Sequence, residues 1–102
     1  MLNQIVLVGR LVEKPIIEET ESEKKVATIT LAVQRSFKNG NGEYDTDFIP
    51  CTLWNNIADN TAEYCNKGDL VGIKGRIQRL SNNELQVVAE KVTFLSSKPK
   101  ED

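Results

Sequence analysis

A small all-β barrel of five strands, with one helix between strands three and four, is predicted by three observations. Apolar, β-branched runs recur at residues 5–12, 26–33, 47–54, 71–77 and 85–95. Only residues 55–65 change to a helical period, and turn or breaker signals fall in each gap between runs.

The first run, Ile5-Val6-Leu7-Val8-Gly9-Arg10-Leu11-Val12, reads as a strand buried on much of both faces. Lys14-Pro15 ends it, because proline lacks a backbone donor and its predecessor avoids the helical region. Glu18, Glu19, Glu21 and Glu23 then predict a solvated turn. In the second strand Ala27, Ile29, Leu31 and Val33 share one face. Residues 37–44 hold two Asn-Gly steps, predicting a loop into the third strand. Asn55 or Asn56 is placed to cap the helix, whose apolar stripe is Ile57, Ala58, Thr61, Ala62, Tyr64 and Cys65. Tyr64 is therefore expected in the core, with Lys67 as a cation at the helix end and Gly68 closing it. Gly75 in the fourth strand predicts a bulge or bend, Gly9 is read as another backbone device, and residues 80–84 form a short hairpin turn. This element order is that of an oligonucleotide/oligosaccharide-binding barrel, the OB-fold. Residues 1–96 make the one domain, and 97–102 a short disordered tail.

The 102 residues carry 39% hydrophobic and 27% charged side chains, an ordinary soluble composition for a single small core. No apolar run reaches a membrane span, and Met1 leads into the first strand without a charged flank, so a cytoplasmic protein with no membrane partner is expected. Two cysteines, Cys51 and Cys65, are too few for a disulfide framework and read as reduced structural thiols. The chain has no histidine, no glycine-rich phosphate loop and no paired-acid motif, which argues against an enzyme and against any cofactor or metal. Net charge is -2, unfavourable for a polyanionic partner, yet the sum conceals a division. Acids crowd residues 13–23, whereas Lys74, Arg76 and Arg79 lie in a stretch with none between Asp69 and Glu84.

Alternation along the third strand puts Phe48, Pro50, Thr52 and Trp54 on one face, and Ile49, Cys51 and Leu53 on the other. The aliphatic set suits a core, so two large aromatics are left facing elsewhere. A single strand aromatic more often packs in a core or a subunit interface; two of one parity weigh against that, and the resemblance given below turns the reading toward a surface that uses them. Pro50 between them has no obvious place, since it cannot donate to a ladder. Lys74, Arg76 and Gln78 likewise share a face opposite Ile73 and Ile77. The first strand carries apolar residues of both parities, Ile5, Leu7 and Leu11 against Val6, Val8 and Val12; a small barrel has one inside, so whichever set faces outward asks for a partner.

Over residues 2–95 the chain resembles the bacterial single-stranded DNA-binding protein family. The resemblance rests on residues 3–11 with Pro15, on 26–33, on 47–54, on Ala62-Glu63-Tyr64 to Lys67-Gly68, and on Gly75-Arg76-Ile77-Gln78, in that order and spacing. It implies sequence-nonspecific binding of single-stranded DNA by base stacking along a basic groove, in replication, recombination or repair. It places Phe37, Phe48 and Trp54 at base-stacking positions and Arg10, Arg35, Lys38, Arg76 and Arg79 at or beside backbone-contacting ones. Lys74 joins these through its neighbourhood, and Tyr44 is a secondary candidate. A fourth stacking aromatic, near Asn82, is missing, and the hairpin there is short. The resemblance also implies a homo-oligomer, dimer or tetramer, paired through the first strand, with replication proteins as further partners. The family's long acidic-tipped tail has no counterpart in Lys98-Pro99-Lys100-Glu101-Asp102, which fits either a removed tail or a short phage or mobile-element form. An alternative reading is a replication-restart or mobile-element scaffold whose barrel mainly binds proteins, with DNA contact secondary.

Overall fold

In a computed structural model describing residues 1–96, the chain runs β1 (Ile5–Leu11), β2 (Ile17–Glu19), β3 (Lys25–Lys38), β4 (Tyr44–Trp54), α1 (Asn55–Tyr64), β5 (Leu70–Arg79) and β6 (Leu85–Ser96). The tail expected at 97–102 lies outside the described residues. The sheet order is β1-β5-β6-β4-β3-β2, and a further β1–β3 pairing at Arg10↔Ala32 and Leu11↔Leu31 closes five strands into a barrel. The helix sits between the third and fourth barrel strands, β4 and β5, as expected. All pairings are antiparallel except β4–β6, a parallel contact at Cys51↔Val87 and Thr52↔Val88. A five-stranded barrel admits one small core, filled by one parity from each strand. Leu11, Ala27, Ile29, Leu31, Cys51, Leu53, Val71, Ile73, Val87 and Ala89 supply it.

α1 seals one end of the barrel through Ala58, Thr61 and Cys65, all fully buried and spaced along one helical face. The rest of the expected stripe behaves differently. Tyr64 is 59% exposed and leans on Phe94, ring centroids 5.9 Å apart, because the helix has only one face toward the barrel and Tyr64 lies at its margin. Neither Asn55 nor Asn56 caps the N-terminus. Trp54 occupies that position with extended backbone and no side-chain cap, while Asn55, at φ 53°, accepts a hydrogen bond from the Lys25 amide. Lys67 falls beyond the helix, and the cation at its C-terminus is Lys14 from the loop after β1. Its ammonium donates to the Ala62 and Cys65 carbonyls and to Asn66, at 3.1–3.3 Å. Free terminal carbonyls and the negative end of the helix dipole favour a cation there, whatever its sequence position. Gly68, at φ 90°, then turns the chain into β5.

Three other expectations are corrected. Part of the acidic stretch is not turn but strand: Ile17–Glu19 pairs antiparallel with Lys25, Val26 and Ala27, a pairing set by β3 that a run of acids without alternation does not announce. Phe37 belongs to β3 rather than a loop, and only residues 39–43 form the turn before β4. β1 is not buried on both faces: Val6 and Val8 are exposed on the outside, while Leu11 is buried and Ile5 and Leu7 pack against the core.

Gly75 marks a bulge, as its sequence context predicts. Lys74 pairs with Lys91 but Gly75 with Ala89, leaving Glu90 as the extra residue. A Cβ at Gly75 would overlap the Val88 carbonyl, and one at Gly9 the Ala32 carbonyl where β1 closes on β3. These are approaches of backbone to backbone, which no side-chain rotation relieves. Gly75→Ala should therefore destabilise the fold by about 1–3 kcal/mol, read as a lower urea midpoint; an unchanged midpoint would contradict the packing described.

Cys51 and Cys65 are buried free thiols in different elements. Burial pushes the Cys51 thiol up to about 11, and burial with the nearby Asp69 charge raises that of Cys65. Both should resist a thiol-reactive dye at pH 8 and react only on unfolding; prompt labelling of the folded chain would sink this picture. Because the unfolded Cys51 ionises before the folded one, stability should also decline as pH rises above about 9 toward 11.

Candidate nucleic-acid interface

The registers of β4 decide what lies on the outer wall. Ile49, Cys51 and Leu53 point inward, the latter two wholly buried. Phe48, Pro50 and Trp54 face out, Phe48 at 64% exposure and Trp54 at 37%, with Thr52 between them. On β3 their partners are Ala32, Thr30, Thr28 and Val26. Directly paired residues share a face, so the aromatics stand beside short side chains that cannot cover them. Six residues of strand put Phe48 and Trp54 about 20 Å apart.

Pro50 now has a physical place. The carbonyl of its partner Thr30 accepts a hydrogen bond from the Val12 amide, so Thr30 directs its backbone groups away from β4. Thr30↔Pro50 is therefore a non-hydrogen-bonded pair, and the imide nitrogen faces away from β3. On that side β6 pairs only with Cys51 and Thr52. The missing donor costs the β3–β4 ladder nothing, while the ring keeps the wall between the aromatics low and stiff.

Across the parallel contact, the outer parity continues onto β6 and β5. Thr52 pairs with Val88, and its hydroxyl lies 2.8 Å from the Gln86 amide oxygen. Val88 pairs with Arg76 and Gln86 with Gln78. Phe48, Trp54, Gln86, Arg76, Gln78 and Lys74 thus lie on one curved outer surface. Arg76 is two strand spacings from Thr52, about 10 Å. Arg79 has the parity of Ile77 and takes the opposite side of β5, apart from Arg76. Nor is the region free of acids in space: Glu90, the bulged residue, lies 3.6 Å from Arg76, which also donates to Gln78.

At the other end of the wall the β3–β4 hairpin extends beyond the barrel. Tyr44 shares the parity of Phe48 and is 48% exposed, with the Lys38 ammonium 5.9 Å from its ring centre. Phe37, 63% exposed, lies within an irregular stretch between the pairs Gln34↔Thr46 and Lys38↔Tyr44. Arg35 lies in the same stretch and forms a two-pronged hydrogen-bonded ion pair with Asp47 at 3.0 and 3.1 Å, with Asp45 at 3.7 Å. These bonds hold the Asp47 carboxyl below its ordinary range and raise the guanidinium. Arg10 is exposed on the outside of β1, pairs with Ala32 and donates to the Gly68 carbonyl at 3.0 Å. Asn82 forms part of the β5–β6 turn, accepting from the Glu84 amide.

Phe48 and Trp54 stand on one face, as strand alternation predicts, and Gln86 joins them without a sequence signal. The run Val87-Val88-Ala89 hides its alternation, because Val88 is buried on the outer side, paired with Thr52 and Arg76, while Val87 and Ala89 belong to the core. Phe94, exposed beside Tyr64, has no signal in the sequence either. Among the described residues no cluster of three or more His, Cys, Asp or Glu is arranged to hold a metal ion, and no helix is long and apolar enough to cross a membrane.

The sequence matches the Single-strand binding protein family over residues 2–95. It is 49% identical to Single-stranded DNA-binding protein B of Bacillus subtilis (strain 168), covering 99% of this chain and 96% of that protein. It is 45% identical to Single-stranded DNA-binding protein 3 of Listeria innocua, covering 96% of this chain and 66% of that one. Among solved structures, wild-type single-stranded DNA binding protein from Thermus aquaticus is similar at TM-score 0.79 and 25% identity, over 93% of this chain and 50% of that chain. The chain therefore spans nearly all of the Bacillus relative but about two thirds and half of the other two. With the closed OB-fold barrel and a family match along almost its whole length, the chain belongs to the single-strand binding protein family.

Proposed function

We propose that this chain is a sequence-tolerant single-stranded DNA-binding protein that coats or protects unwound DNA in replication, recombination or repair, by binding and without catalysis, in the cytoplasm. The observation that carries this reading is the outer wall, where Phe48 and Trp54 are exposed on the surface that also holds Lys74 and Arg76. Every base offers a π face, so stacking gives affinity without reading sequence, at roughly 1–3 kcal/mol per base. Phe37, Phe48 and Trp54 are the proposed platforms, with Tyr44 beside Lys38 as a fourth on the hairpin. Arg10, Lys38, Lys74 and Arg76 are the proposed phosphate contacts. Arg79 serves from the far side of β5, and Arg35 only if it leaves its carboxylates.

We further infer a homo-oligomer formed through β1. From Ile5 to Val8 this strand is paired, among the described residues, only with β5, so its other edge is open, and Val6 and Val8 are 66% and 50% exposed beside it. An open edge with an apolar outer row is a surface for a second copy. Sedimentation should show the chain as a dimer or larger, and Val6→Glu with Val8→Glu should reduce it to a monomer with an unchanged far-ultraviolet spectrum. A monomeric parent chain would contradict this.

Trp54 is the only tryptophan, so its fluorescence reports on one platform. Oligo-dT should quench it, with affinity falling as salt rises, by about 0.7 in log K per decade for each phosphate neutralised. Phe48→Ala should weaken binding by about one to two orders of magnitude, similarly for dT and dA oligomers. No quenching and no gel shift at micromolar protein would overturn the DNA reading; a loss confined to one base would overturn stacking.

A further inference from the structure

We propose that Asp47, assisted by Asp45, is an affinity-setting residue: it occupies Arg35 as an intramolecular stand-in for phosphate and holds it away from the strand-binding wall. The inference rests on the DNA-binding reading above and names a control within it. A carboxylate bound through both oxygens to the guanidinium Nε and one terminal nitrogen engages the donors that an arginine offers a phosphate. Asp45, at 3.7 Å from the remaining terminal nitrogen, adds a second negative charge. Arg35 is thus already neutralised before any nucleic acid arrives.

Geometry makes the hold directional. Asp45 and Asp47 have the parity opposite to Tyr44 and Phe48, so they draw the Arg35 head to the reverse side of the hairpin. Strand alternation starts Arg35 on the same side as Asp47, following the pairs Val33↔Asp47 and Gln34↔Thr46, and the two carboxylates fix its head there. Regular pairing ends at Gln34, so these bonds hold the long side chain in place. Lys38, three residues on, sits at the Tyr44 ring and, among the described residues, forms no ion pair, so the two hairpin cations are in different states. The pair is also exposed, so removing it changes the charge available to DNA more than it changes the fold.

Arg76 provides the graded comparison. Its contact with Glu90 is a single approach at 3.6 Å, without a two-pronged bond, and its head remains on the outer wall. Glu90 therefore withholds less from DNA than Asp47 does. The two pairs also explain how a chain of net charge -2 can regulate a polyanion's grip without abolishing it. The acids are placed on the cations, and the strand must displace them.

The test uses the full chain with oligo-dT across a salt series. Asp47→Asn should tighten binding at low salt and steepen the salt dependence by about 0.7 in log K per decade, one added phosphate contact, so the gain shrinks about fivefold for each tenfold rise in salt. In the double variant Asp47→Asn with Arg35→Gln the slope should return to that of the parent. Glu43→Gln, at a nearby carboxylate with no ion pair among the described residues, should leave the slope unchanged, and Glu90→Gln should steepen it less than Asp47→Asn. An Asp47→Asn slope equal to the parent's would overturn the proposal, and the same steepening from Glu43→Gln would overturn it in favour of mere net charge. Thermal melts of each variant establish that all are folded. A parent chain that binds no oligo-dT would fail the DNA reading itself, and is distinguishable because it removes the baseline rather than the difference.

Discussion

The alternation of β4, locked by its pairing with β3, is the constraint on which the rest depends. A strand admits two faces, and once Cys51 and Leu53 are committed to the barrel interior the neighbours must lie outside. A slip of one residue would bury Phe48 and Trp54 and expose the aliphatic row. The core and the proposed binding wall are thus two sides of one register. Pro50 fits because it falls on a non-hydrogen-bonded pair, so the wall carries a rigid, donor-free residue without weakening the ladder.

The same logic of position governs charge. Strand pairing sets Glu90 beside Arg76 and the hairpin sets Asp45 and Asp47 beside Arg35, although each acid is remote from its partner along the chain. Lys14 likewise reaches the end of α1 from another loop. A cation's availability is decided by what the fold brings against it, since Coulomb attraction and hydrogen-bond geometry depend on distance in space. Arginines equally free in the sequence are unequal in the barrel: Arg35 is held from both prongs, Arg76 from one side, and Arg10 by a carbonyl.

Legibility followed how local the physics was. Strand period, the Asn-Gly turns, the bulge at Gly75 and the inward row of β4 could be read directly, because each depends on neighbouring residues. The helix was read, but not its ends. Capping is a competition for unsatisfied backbone groups, and here Lys14 supplied the C-terminal partner, Asn55 turned to Lys25, and the N-terminus took no side-chain cap at all. Tyr64 was misplaced for a related reason. Helical spacing defines a stripe, but the width of the stripe that is covered depends on what packs against it. Gln86 was hidden by an apolar run whose members face opposite ways.

Element order, barrel class and the parity that leaves Phe48 and Trp54 over are already legible along the chain. Those follow from backbone periodicity and from which side chains water rejects. Only the folded barrel sets Arg76 on the same surface as the aromatics, leaves Val6 and Val8 beside an open strand edge, and closes Asp47 on Arg35. Each is a relation between strands, set by pairing register and barrel closure, and no pattern within one strand carries it; the separation of Arg79 from Arg76 is strand parity alone.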